Sequence, residues 1–198
     1  NIEQMMIDLT KENKFLLNIN KKASLNPKVH LITDDAFTFL KNNSKQYDVI
    51  IANLPDPSVD AIAKLYSKQF FGLVKRSLKT DGIFVTQSGE VYYSNTAFSC
   101  IRNTVNEIFM HTKTYQVYVP SFGFWGFTIA KNADFDERNH RKLPEDLKFL
   151  TENVYLNSFE MPKDIRVVET KINTIDHPVV LDYFLEDWYK WKTDMTTN

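Results

Sequence analysis

The sequence holds one cysteine, five glycines and no excess of charge of either sign. Cys100 has no partner for an internal disulfide, and with Phe98 and Ile101 beside it reads as an ordinary buried thiol in a reducing, cytoplasmic setting. The 24 basic and 25 acidic residues are mixed along 198 positions for a net charge of −1, which leaves no electrostatic footprint for nucleic acid or an anionic membrane. No apolar run reaches the ~18 residues that a bilayer span needs, and the N-terminus lacks the basic-then-apolar layout of a secretory signal. His30, His111, His140 and His177 form no i, i+4 pair and have no cysteine pattern beside them, so no metal site is expected. A Gly-x-Ser-x-Gly elbow and a phosphate loop are also missing, which weighs against hydrolase and kinase chemistry. Gly72, Gly82, Gly89, Gly123 and Gly126 are too scattered to form the turn that lets a backbone approach a nucleotide.

What is present is a packed globular composition, 43% hydrophobic and 14% aromatic, enough for one full core. A helical stripe of Ile2, Met5, Met6 and Leu9 predicts a first helix over 2–19, and Asn26-Pro27 leads into a strand over Val29 to Ile32. A short helix, Ala36 to Lys41, precedes a β-branched run, Val49 to Ile51, of the kind found in strands covered on both faces. Tyr66, Phe70, Leu73 and Val74 mark a helix ending near Asp81-Gly82, followed by a strand over Ile83 to Thr86. Phe98, Ile101, Val105, Ile108 and Phe109 share a helical face, and Tyr115 to Val119 and Trp125 to Ala130 read as an antiparallel pair.

This order describes an α/β protein with the second half of a Rossmann-like, class I methyltransferase-like sheet that ends in a reversed strand. The first half, with its glycine turn, is expected upstream of Asn1. Residues 1–133 form the partial domain. A polar linker from Asp134 to Pro144 then leads into a helical appendage within 134–198, where Leu181, Phe184, Leu185 and Trp188 outline an amphipathic helix against the domain or another subunit. Without its missing half the fold exposes sheet edge and apolar surface, which points to a homo-oligomer.

Chemistry concentrates at YDVIIANLPDPS, where Pro55 and Pro57 stop the strand and leave Asn53 and Asp56 at its carboxyl end, the rim where open α/β sheets bind ligands. Held between two prolines, the Asp56 carboxylate is placed to meet an ammonium or simply to complete a solvated turn. Asn53 can orient an amine but lacks the basicity to accept its proton. Gln87, ending the next strand, points to the same rim, and Phe122 and Trp125 can wall an apolar channel. Asp35 opens a helix, where an acidic residue either caps orphan N–H groups or, with the backbone of Ala36, meets an adenine ring. Tyr66 is read as core.

Taken together, DDAF at 34–37, NLPDPS at 53–58, LYSKQFF at 65–71, VTQSG at 85–89, VPSFGFWGF at 119–127 and the tail TIDHPVVLDYF resemble the polyamine aminopropyltransferase, or spermidine synthase, family. The resemblance covers roughly residues 1–131 and is closest to a bacterial branch whose members often carry membrane helices before the catalytic domain. It implies transfer of an aminopropyl group from decarboxylated S-adenosylmethionine, a co-substrate, to a diamine such as putrescine, with methylthioadenosine as product and no permanently bound cofactor. By the same resemblance Asp35 and Ala36 bind adenine, Asp56 and Gln87 bind amines, and Phe122 and Trp125 line the polyamine channel.

Two positions depart from the family pattern. Asn53 stands where the first carboxylate of Asp-x-x-Asp-Pro, the proton acceptor, belongs, and Phe122 stands where many members have a substrate-contacting tyrosine. The alternatives are a non-catalytic relative that keeps the fold as a binding or scaffold domain, and an S-adenosylmethionine-dependent methyltransferase on the same sheet order.

Overall fold

A computed structural model describes the backbone of residues 2–196 and the side chains of 4–193. The chain forms two compact units, Asn1–Phe39 and Leu40–Asn198.

The first unit contains α1 (Ile2–Glu12), α2 (Lys14–Ile19), a 3-10 turn at Ala23–Leu25 and the start of α3 (Ala36–Asn42). The single helix expected over 2–19 is broken at Asn13. Its side-chain oxygen accepts hydrogen bonds from Phe15 N at 3.0 Å and Leu16 N at 3.2 Å, so the asparagine ends one helix by capping the next. The strand expected over 29–32 does not form. Val29 N is instead tied into a turn by Asn26 O at 2.8 Å, and no ladder among the described residues includes this segment, so its hydrophobic run has nothing to pair with.

The second unit is built on four strands: β1 (Tyr47–Ala52), β2 (Leu78–Glu90), β3 (His111–Val119) and β4 (Gly123–Lys131). Their order is β1-β2-β4-β3, with β1 and β2 parallel and β4 antiparallel to both its neighbours. The chain crosses from β2 through α6 (Asn95–Asn106) to β3 and leaves a gap that the returning β4 fills, which is the reversed strand expected from the sequence. The hairpin connection is only Pro120-Ser121-Phe122, closed by Phe122 N on Val119 O at 2.9 Å.

Between β1 and β2 lie α4 (Asp60–Ala63), a 3-10 turn (Lys64–Tyr66) and α5 (Lys68–Arg76). The stripe from Tyr66 to Val74 is thus interrupted at Ser67, whose hydroxyl caps α5 by accepting from Phe70 N at 3.2 Å. The helix stops at Arg76, and Asp81-Gly82 does not end it. Those residues lie within β2, in the stretch between Leu78 and Ile83 where the ladder with β1 slips register.

Aromatic packing joins the helices to one face of the sheet: Phe71, Phe84 and Phe109 follow one another at ring separations of 5.6 Å, with Phe98, Ile101 and Val105 buried alongside. Val49 and Ile51, on the other face, are 51% and 71% exposed, so cover on both sides of β1 is not seen among the described residues: β-branching favours a strand but does not decide which of its faces are covered.

Residues beyond the hairpin include α7 (Glu152–Asn157) and α8 (Val179–Thr196), the latter packed on α6. Asn173, fully buried, ties this region together: its amide donates to Ala63 O at 2.9 Å, its side-chain oxygen accepts from Val180 N at 3.2 Å, its N–H donates to Thr104 Oγ1 at 3.0 Å and its carbonyl accepts from Lys68 N at 2.8 Å. Asn173→Ala leaves a buried carbonyl and a buried N–H unpaired, and should cost about 2–4 kcal/mol in urea denaturation with no change in m-value. No helix among the described residues is long and apolar enough to cross a membrane.

Candidate active site

The turn after β1 is held from beneath by two buried side chains. Tyr66 Oη donates to Pro55 O at 2.9 Å, and the Gln87 amide nitrogen donates to Leu54 O at 2.8 Å and also to Tyr66 Oη. The Gln87 oxygen in turn accepts from Gly89 N at 2.8 Å and from the Trp125 indole at 3.0 Å. The Gln87 amide is therefore engaged at both its nitrogen and its oxygen within the protein, and an incoming amine reaches it only by displacing one of these contacts. Tyr66, read as core, is core by burial and also a strut of the rim.

A bulge in β2 gives the site its second carboxylate. Gln87 pairs with Phe127 and Gly89 with Gly126, so Ser88 is the extra residue, and Gly89 takes a φ of +88° to accommodate it. In a regular strand Gln87 and Gly89 would share a face. With one residue inserted, Gln87 and Glu90 share it, opposite Phe127 and Trp125. A side chain at Gly126 would meet Val91 at 2.5 Å and Phe98 at 2.6 Å, so that position keeps β4 close enough to α6 for the bulge to be covered.

Two adjoining pockets result. One, about 340 Å³, is lined by Asp56, Glu90, Tyr93, Trp125, Phe184, Trp188 and others; the second, about 260 Å³, is lined by Asn53, Gln87, Val119, Phe127 and others. Phe122 and Trp125, whose rings lie 5.4 Å apart, form a wall common to both. Asn53 and Asp56 thus sit at the same rim, each lining one of the two adjoining pockets. The Asn53 amide has no hydrogen-bond partner among the described residues.

Burial raises the Asp56 carboxyl above the usual carboxylate range, against a smaller opposing effect of the Gln87 amide. Glu90 is raised by burial as well, offset in part by the N–H groups of Tyr93, Tyr92 and Ser94. Burial also drives the Tyr66 phenol far up, with the charge of Asp56 adding to the effect, so Tyr66 stays a neutral donor. Two carboxylates kept short of water and facing aromatic rings form a receptor for a cation with an aliphatic body.

Sequence reasoning missed Glu90 and the contribution of α8. The signal for Glu90 was its place in VTQSGE, three residues after Gln87 with a glycine between, the composition of a bulge. The expected adenine-binding pair, Asp35 and Ala36, belongs to the first unit, where an Asp35 carboxylate oxygen accepts from Thr38 N at 2.9 Å and so caps α3. Among the described residues no group of three or more His, Cys, Asp or Glu side chains is placed to hold a metal ion.

A partly parallel sheet with a reversed inner strand, carrying an acidic and aromatic cleft at the carboxyl end of β1 and β2, defines a Rossmann-like fold of the methyltransferase type. The spermidine synthase of Thermotoga maritima superposes on it with a TM-score of 0.62 over 80% of this chain and 54% of that one, at 23% identity. A spermidine synthase in complex with the transition-state analogue AdoDATO gives 0.61 over 76% and 56%, also at 23% identity. The family model for the spermine/spermidine synthase domain matches residues 1–140. In sequence, the polyamine aminopropyltransferase of Oceanobacillus iheyensis is 32% identical over 191 residues, 94% of this chain and 37% of that protein. That of Sulfurisphaera tokodaii is 34% identical over 194 residues, 91% of this chain and 63% of its own. The chain belongs to the spermine/spermidine synthase family and spans 37% of the length of the first of these curated relatives.

Proposed function

We propose that the protein to which this chain belongs transfers an aminopropyl group from decarboxylated S-adenosylmethionine to a diamine such as putrescine. The observation that carries the reading is the pairing of Asp56 and Glu90 in one aromatic cleft at the carboxyl rim of this family's sheet. The donor is a co-substrate, and no resident cofactor or metal is needed for the reaction.

In the proposed step a neutral amine nitrogen attacks the methylene carbon bonded to the donor's sulfonium. The new C–N bond forms as the C–S bond breaks, and methylthioadenosine leaves with the electron pair. The nitrogen, now positively charged, gives up a proton, and with Asn53 in place of a carboxylate the acceptor is Asp56 or a water held beside it. Glu90 holds the far ammonium of the diamine. The strut of Tyr66 and Gln87 fixes the turn, so the Asp56 carboxylate needs no rearrangement when the amine arrives. Asp35 and Ala36 serve the adenine of the donor in this reading.

The full-length protein, incubated with decarboxylated S-adenosylmethionine and a series of diamines, should release methylthioadenosine in step with a polyamine extended by one aminopropyl group. Ordinary S-adenosylmethionine should give no methylated amine. Donor binding without release of methylthioadenosine for any amine would support a non-catalytic relative instead.

A further inference from the structure

Phe184, Trp188 and Trp191 fall at i, i+4 and i+7 on α8 and so share one helical face, which lines the cleft opposite the sheet. Trp191 packs on Tyr93 with ring centres 3.9 Å apart, and the Tyr93 backbone N–H donates to the Glu90 carboxylate. Trp188 remains 60% exposed, a large apolar ring left open to the cleft beside two carboxylates. Apart from Tyr93, every ionisable side chain on this lining is acidic. An aromatic surface facing carboxylates, with no lysine or arginine to oppose a cation, matches an aliphatic chain that ends in an ammonium group.

On the same face, three residues after Phe184 and four before Trp191, lies Asp187, which is buried where α8 meets the start of α6. One of its oxygens accepts from Thr96 N at 2.9 Å and Ala97 N at 3.1 Å, and the other accepts from Thr96 Oγ1 at 2.8 Å. The side chain thus satisfies the free N–H groups at the start of α6 from outside that helix, and its negative charge suits the helix's positive end. This contact sets the rotation of α8 about its axis, because Asp187 can meet α6 only when Phe184, Trp188 and Trp191 face the cleft.

We propose that α8 is the acceptor-selecting wall of the site: Trp188 and Trp191 flank the methylene chain and the distal ammonium that Glu90 holds, and Asp187 is the positioning residue that presents them. The idea rests on the aminopropyltransferase reading. It assigns to the C-terminal helix a discrimination among amines that the sheet-borne residues do not supply, because Asp56 and Glu90 recognise charge but not chain length.

The test uses the full-length protein with saturating decarboxylated S-adenosylmethionine and three acceptors, 1,3-diaminopropane, putrescine and cadaverine. Trp188→Ala, at an exposed position that tolerates truncation, should raise the acceptor KM about tenfold, the effect of losing a partly desolvated cation–π contact, and leave the donor KM in place. Its effect on kcat should be smaller than its effect on KM. Trp188→Phe, which keeps a ring, should recover most of the loss, and Asp187→Ala should change the ratio of kcat/KM between putrescine and cadaverine. An unchanged acceptor KM in Trp188→Ala together with an unchanged amine preference in Asp187→Ala, in an active protein of normal thermal midpoint, would overturn the role of α8 alone. A wild-type protein that transfers to no amine would instead remove the aminopropyltransferase reading and this inference with it.

Discussion

Asp56→Asn should lower kcat/KM for aminopropyl transfer by about 10²–10⁴, because the substitution removes the carboxylate that both attracts the ammonium and stands nearest the departing proton. The same change should make the protein more stable at neutral pH. Burial raises the Asp56 pKa in the folded state, so the stabilisation from this group is fully present only below its unfolded pKa and is lost as pH rises through the folded value. Above that window the charged form works against folding, and the neutral amide does not. A thermal midpoint that rises while turnover collapses separates a site built for its ligand from a residue that merely holds the turn. The linkage also fixes the pH dependence: the acceptor KM of the wild type should climb as pH falls, beginning above the range of an ordinary carboxylate, and the Asp56→Asn variant should lose that feature.

Asn53→Asp carries the second large effect, and in the opposite direction. Where a positioned base is missing, supplying one is worth about 10²–10⁴ in rate, and the exposed Asn53 amide, without a hydrogen-bond partner among the described residues, can be exchanged for a carboxylate at little structural cost. The expected result is a gain in kcat on the order of 10² with little change in acceptor KM, together with a pH–rate profile that acquires a new acidic limb. A loss of rate would mean that the pocket lined by Asn53 carries a contact an amide makes and a carboxylate cannot.

Both expectations lean on residues that are legible in the chain itself. The strand at Tyr47–Ala52 and the stop imposed by Pro55 and Pro57 are local facts, and they put Asn53 and Asp56 at the rim without reference to any distant residue. Gln87, Phe122 and Trp125 were legible for the same reason, lying near a strand end or in a hairpin, although β2 continues past Gln87 to Glu90. Glu90 was not, because its direction depends on Ser88 having no partner on β4, and the register of two distant strands is not written in either one alone. The face of α8 was half legible: its apolar spacing showed a helix, but Asp187, which decides where that face points, finds its partners about ninety residues away at Thr96 and Ala97. Val29–Ile32 shows the reverse failure. Its residues favour a strand, but that preference is realised only through a ladder, and none forms there among the described residues.

The most direct measurement is a crystal structure of the full-length protein with methylthioadenosine and putrescine. The account predicts one putrescine nitrogen within hydrogen-bond distance of the Asp56 carboxylate and the methylene chain against the α8 tryptophans, in the cleft that Glu90 shares. Putrescine bound elsewhere, with Asp56 and Glu90 both facing water, would contradict it.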